Sequence, residues 1–289
     1  MSCGSKSGPI RPVFLNLAPG ALGIDVDLDQ TIALAAAHGF EGIDCPLDEV
    51  CRMADPQQAH DRLSGAKLRW GGFGLPIDFR RDDPTARRGL NNLRQMAAVA
   101  ERIGCTRCTT WLLPFHDELD YGRNFRTHLR RLQPAARVLA DHGIRFGLEF
   151  VAPKTMRQGH RYEFIHNLEQ VLELADAIGQ AGTGVLLDSW HWYTSHGTAA
   201  DITRKLRDRI VHVHLNDAPP GRAIDQQLDH DRRLPGETGV IDLKTFVRCL
   251  GEVHYDGPVT AEPFLPELGR MPHEQAVART AEALRSVLR

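Results

Sequence analysis

No run of about 18 apolar residues occurs anywhere in the 289-residue sequence, which argues against a transmembrane helix. Charge of one sign is lacking too. Lys and Arg number 35 against 37 Asp and Glu, and a net charge of −2 supplies no field for holding a polyanion, so nucleic acid is not expected as the main partner. Cysteine is sparse: Cys3, Cys45, Cys51, Cys105, Cys108 and Cys249 are scattered along a chain too long for a disulfide scaffold. Cys105 and Cys108 form a C-x-x-C, but no second pair completes a zinc site, so both read as thiols packed in a strand. Met1–Gly8 is small and polar with no apolar stretch behind it, so no signal peptide and a soluble, cytoplasmic protein with no membrane partner are expected.

What is present is alternation. Short apolar runs of strand character precede longer stretches with helical periodicity. The strands are expected at Pro12–Asn16, Phe40–Cys45, Lys67–Leu75, Cys105–Leu113, Ile144–Val151, Gly184–Asp188, Ile210–Leu215 and Pro258–Glu262. Helices are expected near 29–38, 56–63, 84–103, 121–142, 168–178, 200–207, after an Asp242 N-cap, and 272–288. In the fourth of these, Phe125, Leu129, Leu132, Ala136 and Leu139 form the expected buried stripe, and Pro134 predicts a kink or break.

Strand–helix units in sequence, without an Asn-Gly hairpin signal between strands, predict a parallel sheet. An open doubly wound sheet would want G-x-G-x-x-G after its first strand, where this chain has Leu17-Ala-Pro-Gly-Ala-Leu-Gly23. A barrel of about 250 residues uses nearly the whole chain. The expected architecture is therefore a single closed (β/α)8 TIM barrel over residues 11–289, after a flexible segment 1–10. The long connection Ala218–Ile241, rich in proline and charge, reads as a lid or pocket wall.

Barrel chemistry collects at the C-terminal ends of the strands. Four consecutive strands end there on a metal-capable side chain: Glu149 closes Phe146-Gly-Leu-Glu, Asp188 closes Val185-Leu-Leu-Asp, His214 nearly closes Val211-His-Val-His-Leu, and Glu262 closes Val259-Thr-Ala-Glu. Three carboxylates and an imidazole would repel as an empty cluster, whereas one divalent cation removes the repulsion. The oxygen-rich donor set suits Mn2+, Mg2+ or Co2+, with Zn2+ as a further possibility. His212 and His214 share strand parity, but only His214 lies close enough to the strand end to reach the mouth, so His212 is expected to pack or to act one layer out. Trp111, at the end of the fourth strand, is an aromatic candidate for the pocket, with core packing as the alternative. Lys154, Arg157 and His160 after the fifth strand, and Asp229 and Arg232 in the long connection, are candidate substrate contacts with solvated loop charge as the alternative.

At Gly147-Leu-Glu149, Leu187-Asp188-Ser-Trp-His191, Val211-His-Val-His214-Leu-Asn-Asp217, Leu234-Pro-Gly-Glu-Thr-Gly-Val-Ile-Asp242 and Tyr255-Asp-Gly-Pro-Val-Thr-Ala-Glu262-Pro-Phe264 the chain resembles the xylose isomerase-like barrel superfamily, in its sugar isomerase and epimerase branch. The resemblance runs along essentially the whole chain. It implies one metal on the residues matching Glu149, Asp188, His214 and Glu262, proton transfer by the two glutamates, and contact of His191 with substrate oxygens. The implied activity is isomerisation or epimerisation of a sugar or keto-sugar through an enediolate. The alternatives are a lyase or dehydratase on a keto-sugar or inosose, an apurinic-site endonuclease, and a non-catalytic metal-binding protein. Barrels of this kind often pair, so a homo-oligomer is compatible with the sequence.

Overall fold

Runs of aliphatic and aromatic residues become the barrel staves of the computed structural model, which describes residues 13–289. Pro12, the expected start of the first strand, and the expected flexible segment 1–10, with Cys3, lie outside the described residues. In chain order the strands are β1 (Phe14–Leu17), β2 (Gly42–Ile43), β3 (Arg69–Trp70), β4 (Phe73–Gly74), β5 (Arg107–Leu112), β6 (Phe115–His116), β7 (Arg145–Phe150), β8 (Tyr162–Glu163), β9 (Thr183–Asp188), β10 (Ile210–Leu215) and β11 (Pro258–Ala261).

The main sheet runs β3-β2-β1-β11-β10-β9-β7-β5-β4, with every neighbouring pair parallel. Its two edges, β3 and β4, are successive pieces of one segment. The sheet therefore closes on itself as the expected parallel (β/α)8 TIM barrel, whose third stave is the segment predicted at Lys67–Leu75, divided at Gly71-Gly72. The division has a steric cause: a Cβ added at Gly71 would lie 2.0 Å from Asn16 Oδ1, so only glycine lets the stave pass the β1 side chain. The sequence showed no antiparallel pairing, yet β6 and β8 make a two-stranded antiparallel patch. It ties the loop after β5 to the loop after β7.

The outer helices start on polar caps that satisfy their first N–H groups. Asp27 forms a capping box with Gln30, Asp82 accepts from Thr85 N at 2.7 Å, Asp120 from Arg123 N at 2.9 Å, Asn167 from Gln170 N at 3.0 Å and Asp242 from Thr245 N at 3.0 Å. Their apolar faces lie on the barrel; Leu93, Met96, Ala97, Ala100 and Ile103 are all buried as the spacing predicts.

Of the kink or break expected at Pro134 there is no break: the helix runs from Tyr121 to Asp141 through it. Pro134 removes one backbone hydrogen bond, but buried Leu132, Ala135, Ala136 and Leu139 hold both sides of it against the sheet. The buried stripe is also rotated: Asn124 and His128 are buried where Phe125 and Leu129 are only partly so. The His128 ring fills the space between Phe79 and Phe164, at centroid distances of 5.6 and 4.7 Å, a place an aliphatic residue does not fill as well.

Cys105 and Cys108 are free and buried. Among the described residues, no helix is long and apolar enough to cross a membrane.

Candidate metal centre

Barrel closure brings the four strand-end residues together. Glu149 is the fifth residue of β7, Asp188 the last of β9, His214 the fifth of β10, and Glu262 follows β11 directly. His214 pairs in register with Asp188 on one side and with Thr260 on the other. Each of the four offers one ligand atom, and these atoms all lie within 4.8 Å of one another. Nδ1 of His214 stands 3.2 Å from Glu262 Oε2 and 3.6 Å from Glu149 Oε1. It makes no hydrogen bond, and neither does Glu149 Oε1. Buried polar atoms this close without hydrogen-bond geometry face a common point instead of each other, as ligands of one cation do. The donor set fits a divalent ion.

Asp188 is held from three sides. Its Oδ1 accepts from Trp190 N at 2.7 Å and from Asn216 Nδ2 at 3.0 Å, and its Oδ2 accepts from Arg232 Nη1 at 2.9 Å. Asn216 also accepts from Glu262 N through Oδ1 at 3.0 Å, so one amide sets the spacing of two ligands. His191 accepts from Ala152 N on Nδ1 at 3.3 Å, which turns Nε2 toward Glu149, 4.0 Å away.

Arg232 was expected as a loop charge beside the substrate; it is 1% exposed and embedded in the cluster. It reaches Glu262 Oε2 at 3.0 Å and Asp229 Oδ1 at 3.0 Å besides Asp188, and its Cζ lies 4.4 Å from the Phe264 ring centroid. The segment that delivers it is built around Asp217. The Asp217 carboxylate is fully buried and accepts backbone N–H groups from Ala218, Thr238, Gly239 and Ile241 at 2.7–3.0 Å. Asp217 also exchanges backbone hydrogen bonds with Arg233. The connection Ala218–Ile241 is thus a folded wall.

Electrostatics separate the two glutamates. Burial pushes Glu149 above the usual carboxylate range, more than His214 pulls it down. Glu262 is also buried, but His214 and Arg232 outweigh that and hold it at about 2. Burial works against charge on His214, yet the two glutamates beside it raise its pKa well above the ordinary histidine value. Arg232 likewise stays charged despite burial because Asp188, Asp229 and Glu262 surround it.

The cluster forms one wall of a cavity of about 650 Å³ at the barrel mouth, whose lining includes Asp44, Arg80, Trp111, Glu149, His212, His214 and Glu262. Trp111 is at the rim as expected and 44% exposed, with the Arg80 guanidinium over its ring at 3.8 Å. His212 faces the same cavity and shares a hydrogen bond of 2.8 Å between its Nε2 and Thr260 Oγ1, the outer-layer position expected from its greater distance to the strand end. Lys154, Arg157 and His160 are not brought to the cluster. Lys154 pairs with Asp225 at 3.0 Å, Arg157 with Glu163 at 3.4 Å, and His160 with Asp117 at 3.0 Å while stacking on Phe115. Sequence reasoning missed Asn216, Asp217, Asp44 and Arg80. Asn216-Asp217 come just after His214-Leu215 at the end of β10, a place where polar residues could have been singled out; for Arg80 the sequence carries no signal.

Comparison with known proteins agrees with this geometry. An inosose isomerase of Halalkalibacterium halodurans is 26% identical over 155 residues, 53% of this chain and 51% of that protein. This chain spans about half the length of the first curated relatives it matches, inosose isomerases and a D-psicose 3-epimerase, and 79% of an L-ribulose 3-epimerase; a 3-dehydroshikimate dehydratase matches at 30% identity over 23% of its length. A solved xylose isomerase domain protein from Alicyclobacillus acidocaldarius is 28% identical with a TM-score of 0.85, covering 96% of this chain and 98% of that one. The IOLI protein, solved with a bound zinc atom, has the same fold at 18% identity and a TM-score of 0.81, covering 96% of this chain and 98% of that one. The family described as xylose isomerase-like TIM barrel matches residues 32–287, and the chain belongs to that family.

Proposed function

We propose that this chain is a divalent-metal-dependent isomerase or epimerase of a sugar or keto-sugar. The observation that carries the reading is the convergence of His214 Nδ1 with Glu149 and Glu262 at 3.6 and 3.2 Å, in contact without hydrogen bonding, in the wall of a sugar-sized cavity. Glu149, Asp188, His214 and Glu262 would hold the ion. When bound, it supplies Lewis acidity toward a carbonyl and an adjacent hydroxyl oxygen, acidifying the neighbouring C–H. The donor set suits Mn2+, Mg2+ or Co2+, and the zinc-bound relative of the same fold keeps Zn2+ among the candidates.

The chain's own residues move the proton. One glutamate removes it beside the carbonyl to give an enediolate, and the other returns it, on the opposite face for epimerisation. Glu149 and Glu262 reach the same point from opposite sides of His214, at 3.6 and 3.2 Å from its Nδ1, as two proton carriers at one carbon require. Arg232 and Asp229 back the cluster from its buried side, His191 approaches Glu149 at 4.0 Å, and Trp111 offers an apolar ring at the rim. In this reading Lys154, Arg157 and His160 shape the loop after β7.

The test is incubation of the manganese-loaded protein with keto-sugars in deuterated water. Deuterium beside the carbonyl of an isomeric product is expected, and its loss in both Glu149→Gln and Glu262→Gln. Exchange that persists in both variants would sink the assignment. Loss of water instead of isomerisation would favour a lyase, a reading that the dehydratase among the relatives keeps open.

A further inference from the structure

The cavity wall carries a cation with no counter-charge. Arg80 lines the cavity together with Glu149 and Trp111. Its Cζ lies 3.8 Å from the Trp111 ring centroid and 4.4 Å from that of Phe79, so the guanidinium is sandwiched against two rings. Trp111 is the register partner of Glu149 on the neighbouring strand, which puts Arg80 one stave away from the ligand cluster.

Both hydrogen bonds that Arg80 makes leave from Nη2, to Thr110 Oγ1 at 3.2 Å and to the Trp111 carbonyl. Nε is buried and unpartnered. The carboxylates whose charge reaches it, Asp78 and Glu149, are not in contact with it; Asp78 pairs with Arg81 instead. Burial accordingly pushes Arg80 down to about 10, which still leaves it charged at neutral pH. Arg232, the other arginine at this site, is by contrast satisfied by three carboxylates. A half-buried guanidinium without a counter-ion is costly to maintain for structure alone, since the two hydrogen bonds it makes could come from a neutral side chain.

We infer that Arg80 binds an anionic group, a carboxylate or a phosphate, at the end of the substrate away from the metal cluster, so that the substrate is an acidic keto-sugar. This rests on the reading of the cavity as a keto-sugar site. Arg80 would then act as a specificity residue: its planar fork meets a carboxylate or phosphate oxygen pair while Trp111 holds it in place.

The test is isothermal titration of the manganese-loaded protein with three unreactive probes on one carbon skeleton: sorbitol, gluconate and sorbitol 6-phosphate. At least one anionic probe is expected to bind about 10- to 100-fold more tightly than sorbitol, as charge-assisted hydrogen bonds give. Which of the two gains more tells a carboxylate substrate from a phosphorylated one. Arg80→Met should shrink the preference to within about threefold, and Arg80→Lys should keep part of it. Arg81→Met, at the exposed neighbour that pairs with Asp78, should leave the preference intact. Equal binding of all three probes by the parent, or a preference that survives Arg80→Met, overturns the inference. In the second outcome the anion is bound by the metal or another cation. Because titration needs no turnover, an anion preference without proton exchange would refute the isomerase reading and leave the anion site standing. Proton exchange on neutral ketoses without an anion preference would do the reverse.

Discussion

Replacing Arg232 with methionine keeps most of the side-chain bulk and removes the charge from the middle of the acid cluster. The guanidinium contacts Asp188 at 2.9 Å, Glu262 at 3.0 Å and Asp229 at 3.0 Å, with both Arg232 and Asp188 buried. Each such contact is worth about 4 kcal/mol at an effective dielectric near 20. Much of that is offset because the guanidinium no longer has to leave water. Stranding a buried partner nevertheless costs about 3–5 kcal/mol net. In a chain of this size each kcal/mol moves Tm by about 2–4 °C, so the melting temperature in EDTA is expected to fall by about 10 °C. Manganese at about a thousand times its Kd adds about 4 kcal/mol to any protein that binds it only when folded. Arg232→Met should gain more than the parent does, because the ion then replaces the positive charge that Arg232 gave Asp188 and Glu262. The assay is thermal unfolding followed by circular dichroism, with EDTA and with Mn2+. A variant melting within about 2 °C of the parent in EDTA, or losing the same amount in both buffers, would refute the account of Arg232 as the cluster's built-in counter-charge.

Asp217→Ala leaves four backbone N–H groups of the wall segment without their acceptor, and at about 1 kcal/mol or more each it should cost at least about 3 kcal/mol in urea unfolding. Hydrogen exchange should show the lost protection confined to residues 218–241; protection unchanged there would contradict the assignment. His214→Ala should lower bound manganese in elemental analysis after dialysis, and full occupancy would remove His214 from the ligand set. Acid stability should report on His128, whose folded pKa burial lowers from 6.5 to about 4. The unfolded chain binds more protons between those values, so stability is full above pH 6.5 and falls as the pH drops to about 4, by about 3 kcal/mol at most. His128→Leu should flatten that part of a urea-midpoint profile; an unchanged slope would place the acid sensitivity elsewhere.

The strand–helix alternation and the four-residue cluster at the strand ends were legible because each depends on local pattern. Period-two alternation placed Glu149, Asp188, His214 and Glu262 at the ends of apolar runs, and closeness to the strand end separated His214 from His212, which shares its parity. The elements misplaced from sequence were those that a distant contact decides. The third stave reads as one strand but splits where Asn16 crowds Gly71. The helix through Pro134 stays whole because its buried face outweighs one lost hydrogen bond, and its stripe turns to put His128 between two rings. Lys154, Arg157 and His160 follow a ligand strand closely, yet Asp225, Glu163 and Asp117 take their charges.

By itself, then, the sequence determined a closed β/α barrel and the donor set at its mouth, since hydrophobic period and polar strand ends are properties of short segments. Only the tertiary structure decided which cations share that mouth. Arg232 is buried in the cluster because a loop folded around Asp217 carries it there, and Arg80 faces the cavity unpaired because the loop after β4 lays it on Trp111. Whether a charge is neutralised depends on what lies within about 4 Å in space, and no spacing along the chain encodes that.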